Sequence, residues 1–124
     1  MFLNVTNHNS SMWQQKLIEA ASVYGEIVDY PFPKIEADYT EEDISQIARE
    51  TVSRIIAMNP TACMVAGEFS LTFQIVEGLL NAGIKVVITC SERKTIEHKN
   101  PDGTLTKTAD FDFVKFREYE HFKS

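Results

Sequence analysis

Cysteine is scarce in this chain: two in 124 residues, at positions 63 and 90, with no Cys-x-x-Cys pair. Both lie inside apolar runs, so two small buried thiols are expected rather than a disulfide. Histidine is as sparse; His8, His98 and His121 share no ligand spacing with one another or with the cysteines, and no zinc signature results. There are five glycines, and none forms a dinucleotide fingerprint. Gly67 stands alone after its strand, which excludes an NAD-type reading. Basic charge is also short, with twelve Lys and Arg against eighteen Asp and Glu for a net charge of −6. That argues against broad binding to duplex nucleic acid. No apolar run approaches the about 20 residues of a membrane helix. Met1-Phe2-Leu3 runs into Asn4 without a basic leader, so a cytoplasmic protein with no membrane partner is expected.

What is present describes one globular domain over residues 1–124. Hydrophobic residues make up 44% and charged residues 24%, which is an ordinary balance at a length where a full core can form. The acid is concentrated in the middle of the chain, in Glu36, Asp38, Glu41, Glu42, Asp43 and Glu50. Residues 83–124 are close to neutral. A small anionic ligand held by a local cluster remains compatible with that distribution; a long polyanion across the surface does not.

The pattern alternates strand and helix. Phe2 to Thr6 reads as a first strand. Ser11-x-x-Gln14 matches a capping box, and Trp13, Leu17, Ala20, Ala21 and Tyr24 repeat at three and four, so a helix is expected over Met12–Tyr24, ended by Gly25. Glu26 to Tyr30 is a second strand, and Pro31-Phe32-Pro33 leaves the sheet. Thr40 caps a second helix whose first turn holds three acids, and Asn59-Pro60 stops it. Its buried stripe runs through Ile44, Ile47, Ala48, Thr51, Val52, Ile55 and Met58. Ala62 to Ala66 is an unbroken apolar run, as in a strand covered on both faces. Phe69, Phe73, Val76 and Leu80 set a third helix on the sheet, and Ile84 to Cys90 is the fourth strand. Asn100-Pro101-Asp102-Gly103 is a turn, so the tail is a β-hairpin of about residues 93–117, at the sheet edge or against a second subunit. The fold expected is α/β: a Rossmann-like three-layer domain, mainly parallel, with a C-terminal hairpin or edge strand.

In a parallel sheet the C-terminal ends of the strands share one rim, where ligands bind. Three turns bring polar residues there. The first holds Asn7, His8, Asn9, Ser10 and Ser11; the second Gly67, Glu68 and Ser70; the third Thr89, Ser91, Glu92 and Arg93. The amides that open the first and third helices point at the same rim, an expected anion cradle. Arg93 suits a phosphate by its forked geometry.

Five short segments carry a family resemblance over essentially the whole chain. They are Asn7-His8-x-Ser10-Ser11-x-Trp13, Asp29-x-Pro31-Phe32-Pro33, Gly67-Glu68-x-x-Leu71-Thr72-Phe73, Ser91-Glu92-Arg93 and Phe113-Val114-x-Phe116-Arg117-x-Tyr119. The chain resembles the small stand-alone CRISPR-associated proteins of Rossmann-like fold, related to CARF sensor domains and their ring nucleases. The resemblance implies a homodimer that binds cyclic oligoadenylate across its two-fold axis and cleaves it without a metal or cofactor. A ribose 2′-hydroxyl would attack the adjoining phosphate. By position, the resemblance implies ligand contacts from Asn7, His8, Ser10, Ser11, Gly67, Glu68, Ser91 and Arg93. Asn9, Ser70 and Thr89 on the same rim are expected to bind with them. His8, Ser11 and Arg93 are the expected catalytic residues, His8 as acid or base and Arg93 at the phosphate charge. The chain departs from some of those domains in having no lone lysine at these positions. Two readings of other classes stand beside this one: a non-catalytic module that sequesters or senses a nucleotide, and a dimeric interaction protein that uses its hairpin.

Overall fold

The computed structural model describes all residues, Met1–Ser124. Strands and helices alternate as β1 (Phe2–Val5), α1 (Gln15–Ser22), β2 (Ile27–Asp29), α2 (Glu41–Met58), β3 (Ala62–Val65), α3 (Phe69–Asn81), β4 (Lys85–Lys99) and β5 (Leu105–Glu118). They form one sheet in the order β2-β1-β3-β4-β5. The first four strands are parallel, and β5 runs antiparallel to β4. This is the expected Rossmann-like α/β architecture. The strand order reverses between β1 and β3.

Side-chain alternation along each strand builds the three layers. Leu3, Val5, Cys63, Val65 and Val86 face one way and meet Ile44, Ala48 and Ile55 of α2 and Leu71, Ile75 and Leu79 of α3. Phe2, Ala62, Met64 and Val87 face the other way, onto Ala21 of α1 with Trp13, Tyr24 and Phe116. The helix stripe read for α2 is the one observed, with Ile44, Ala48, Thr51 and Ile55 buried. Thr40 and Asp43 form its capping box, and Asn59 ends it in the left-handed conformation at φ 52°.

Three expectations are corrected. The capping box at Ser11 does not form: residues Ser10–Met12 curl into a 3-10 turn capped by Asn9, and α1 begins only at Gln15. Phe69 and Phe73 do not set α3 on the sheet; they are 89% and 71% exposed, and the buried stripe is Leu71, Ile75, Val76 and Leu79. Cys90 is only half-buried, whereas Cys63 is fully buried; both are free thiols.

The hairpin is longer than read. Only Lys85–Val87 of β4 lie beside β3. From there β4 and β5 pair with each other alone, up to the Asn100–Thr104 turn, where Gly103 has φ 86°. A register shift at Cys90/Ser91 leaves Val114 as an extra residue on β5, a bulge of the kind that bends a ribbon.

Candidate functional site

The switch point between β1 and β3 is where this topology opens a crevice, and a cleft of about 390 Å³ lies there on the α1 side. Its floor is Thr6, Met64, Ala66 and Thr89. One wall is Met12, Trp13, Gln14 and Leu17; the other is Ser91, Phe111 and Phe113 of the ribbon; His8 stands at the rim. Strand parity explains the floor: Thr6 continues the face of Phe2 and Asn4, and Ala66 that of Ala62 and Met64.

The His8 turn is held from below. Asn4, 1% exposed, lies beside Asp29 in the sheet register. Its Nδ2 donates to Asp29 Oδ1 and to the His8 carbonyl, both at 2.8 Å. The Trp13 indole also donates to that carbonyl, at 3.1 Å. The Thr6 hydroxyl donates to Asn4 Oδ1 at 2.7 Å and accepts from the His8 N–H. Asp29 in turn accepts from the Ser10 N–H at 3.0 Å and the Ser10 hydroxyl at 2.8 Å. Burial works to raise the Asp29 carboxyl, but these bonds from Asn4 and Ser10 outweigh it and hold the group below the usual carboxylate range. The turn's backbone is thus fixed while the His8 imidazole has no protein partner.

The far wall is joined to α1 by one amide. Gln14 Nε2 donates to the Phe111 carbonyl, and its Oε1 accepts from the Phe113 N–H at 3.1 Å. A side-chain amide thus fills the hydrogen-bonding place of a neighbouring strand on the outer edge of β5. Beside it Asp112 accepts from Lys94 and Lys16, each at 3.3 Å, and these two lysines hold its carboxyl low.

Of the residues read from sequence, His8, Thr89 and Ser91 line the cleft. Arg93 faces Phe111 across the ribbon and is exposed, with no ion pair of its own. Asn7, Asn9, Ser10 and Ser11 share the His8 turn without lining the cleft; Asn9 caps the 3-10 turn and Ser10 serves Asp29. Gly67 lies under Phe32, whose ring would stand 2.5 Å from any Cβ at that position. Glu68 is the N-cap of α3: its carboxylate accepts from the Ser70 hydroxyl, the Ser70 N–H and the Leu71 N–H, which lowers its pKa. The anion cradle expected at α3 is therefore filled by the protein's own carboxylate. No side chain caps the amides that open α1. No cluster of three or more His, Cys, Asp or Glu side chains is grouped as for a metal ion.

Sequence reading missed Asn4, Thr6, Gln14, Phe111 and Phe113 as site residues. An asparagine inside the strand Phe2-Leu3-Asn4-Val5 was the available signal, since a buried amide must find partners. Neither the curated proteins nor the solved structures contain a match to this chain. A family model described as "Uncharacterized protein MJ1673 family" matches residues 1–117, and the chain belongs to that MJ1673 family.

Proposed function

We propose that the cleft binds one nucleotide unit of a cyclic oligoadenylate and that the protein, as a cytoplasmic homodimer, opens the ring as a metal-independent nuclease. One observation carries the reading: at the switch point, an imidazole and two hydroxyls without protein partners face an aromatic wall. Trp13 or Phe111 offers a face for a base; Thr89 and Ser91 offer hydroxyls to ribose or phosphate. The net charge of −6 does not oppose this locally, because no carboxylate lines the cleft. A volume of 390 Å³ is near the lower end of ligand pockets of about 300–1,000 Å³. It suits one nucleotide rather than a whole ring, so the ring needs two copies.

In the proposed step, His8 takes the proton of a ribose 2′-hydroxyl as its oxygen attacks the adjoining phosphorus in line. The bond to the 5′-oxygen breaks, that oxygen takes a proton from solvent water, and His8 returns its proton to solvent. The products are a 2′,3′-cyclic phosphate and a 5′-hydroxyl. Arg93 meets the charge gathered on the phosphate, and the fixed His8 turn supplies the positioning.

The test incubates the protein with cyclic tetra- and hexa-adenylate in EDTA and resolves the products by chromatography. Linear products ending in a cyclic phosphate are expected; His8→Ala should bind without cleaving and Arg93→Ala should bind more weakly. Intact rings together with no measurable binding would discard the reading. A second reading, sequestration without cleavage, is favoured by His8 being the single titratable side chain on the cleft lining. It predicts tight binding, unchanged rings and a ligand-dependent rise in Tm.

A further inference from the structure

The ribbon leaves the outer edge of β4 bare along its whole free length, whereas the outer edge of β5 is bare only at Leu105, Lys107 and Ala109. The turn bond from the Asn100 N–H to the Thr104 carbonyl fixes the phase of the β4–β5 ladder. Even-numbered residues of β4 turn their main-chain groups to β5, and odd-numbered ones from Ser91 to Lys99 turn theirs away. The outer edge of β5 is engaged by Gln14 at Phe111 and Phe113. The outer edge of β4 has no such partner past the end of β3, and every residue from Ser91 to Lys99 is exposed. A free two-stranded ribbon is marginal alone, and a bare edge invites another strand.

We infer that this edge pairs with the same edge of a second copy, antiparallel about a two-fold axis through Thr95. The two-copy reading proposed above supplies the occupant; the charges along the strand supply the register. With Thr95 opposite the partner's Thr95, Arg93 meets the partner's Glu97, Glu92 meets the partner's His98, and the stem of Lys94 meets the partner's Ile96. Each pair occurs twice by symmetry. Neighbouring registers lose this match. Centring on Arg93, Lys94 or Glu97 sets that charge against its own copy, and centring on Ile96 sets Arg93 against the partner's Lys99. Centring on Arg93 or Lys94 would also drive the partner's turn into the end of β3.

In the Thr95 register the partner strand lies along β4 beyond the end of β3, with the partner's Lys99 opposite Ser91. The axis stands perpendicular to the ribbon, so both clefts open to the same face. The two Arg93 residues lie four positions apart along the strands, roughly 13 Å. A guanidinium bonded to Glu97 still has donors for a phosphate.

The test needs no nucleotide, so this pairing and ligand binding fail separately. Sedimentation equilibrium should show a dimer for the wild type. Arg93→Glu and Glu97→Arg should each weaken it about tenfold or more, since like charges then face each other twice. The double variant should recover it. Independently, Thr95→Cys in a Cys90→Ser background should form an intermolecular disulfide on mild oxidation, because a hydrogen-bonded antiparallel pair stands about 5.5 Å apart at Cα, within disulfide reach. Lys94→Cys alone should not. A monomeric wild type, single variants that dimerise as the wild type does, or equal cross-linking at positions 94 and 95 would overturn the inference.

Discussion

Asn4 is the residue on which the site's shape turns. It is an amide inside an apolar strand, and its bonds reach both Asp29 and the His8 carbonyl. Asn4→Ala takes a donor from both acceptors, leaves the buried Thr6 hydroxyl without its nearer acceptor and opens a small void in a buried strand. The expected cost is about 2–3 kcal/mol, read as a drop in Tm of several degrees, with faster proteolysis in the 7–11 turn. Asp29 gives the turn an acid limit. Its carboxyl is held below its ordinary value in the folded chain, so its contribution is present above the ordinary carboxylate range and is lost as pH falls through the lowered value. Thermal melts of wild type and Asp29→Asn should therefore differ at pH 7 and converge well below about pH 4. The two thiols should also separate. Burial pushes Cys63 up to about 12, so in native protein iodoacetamide should label the half-buried Cys90 and spare Cys63, as read by mass spectrometry.

At the scale of elements, close approach governs the strand-to-helix turn after β3. Gly67→Ala would press a methyl into the Phe32 ring, and Phe32 is itself core. A loss of about 1–3 kcal/mol is expected by chemical denaturation, partly recovered by Phe32→Leu. The elements also show what local reading can and cannot reach. Thr40-x-x-Asp43 and Ser11-x-x-Gln14 look alike as capping boxes, yet only the first forms. The second loses its glutamine to the edge of β5, to main-chain groups 97 and 99 residues away, and no window around Ser11 contains them. In α3 two stripes fit the helical period. One holds Leu71, Ile75 and Leu79, the other Phe69, Phe73, Val76 and Leu80. The sheet takes the first, and Val76 alone of the second is buried with it. Spacing cannot choose between two apolar stripes; the space above the sheet does. The alternation of strands and helices was legible because each strand is short, apolar and punctuated by turn residues. The cleft was legible only at His8, Thr89 and Ser91, since its other wall arrives from the far end of the chain.

The whole molecule divides into a packed three-layer body and an arm with little beneath it. Hydrogen exchange should record that division. In dilute solution the amides of the ribbon from Arg93 to Thr108 should exchange far faster than those of β1 and β3, which are buried on both faces. On raising the concentration, the odd-numbered amides of β4 should slow while those of β1 and β3 stay as they were. Gln14 joins arm to body through main-chain atoms of Phe111 and Phe113, and it touches neither ring by those bonds. The hinge and the lining are therefore separable. The exposed side chain at 111 is free to drift with whatever the cleft must hold, so long as position 14 keeps an amide and Phe113 keeps its packing on Phe116, and a change of ligand would not require a change of scaffold.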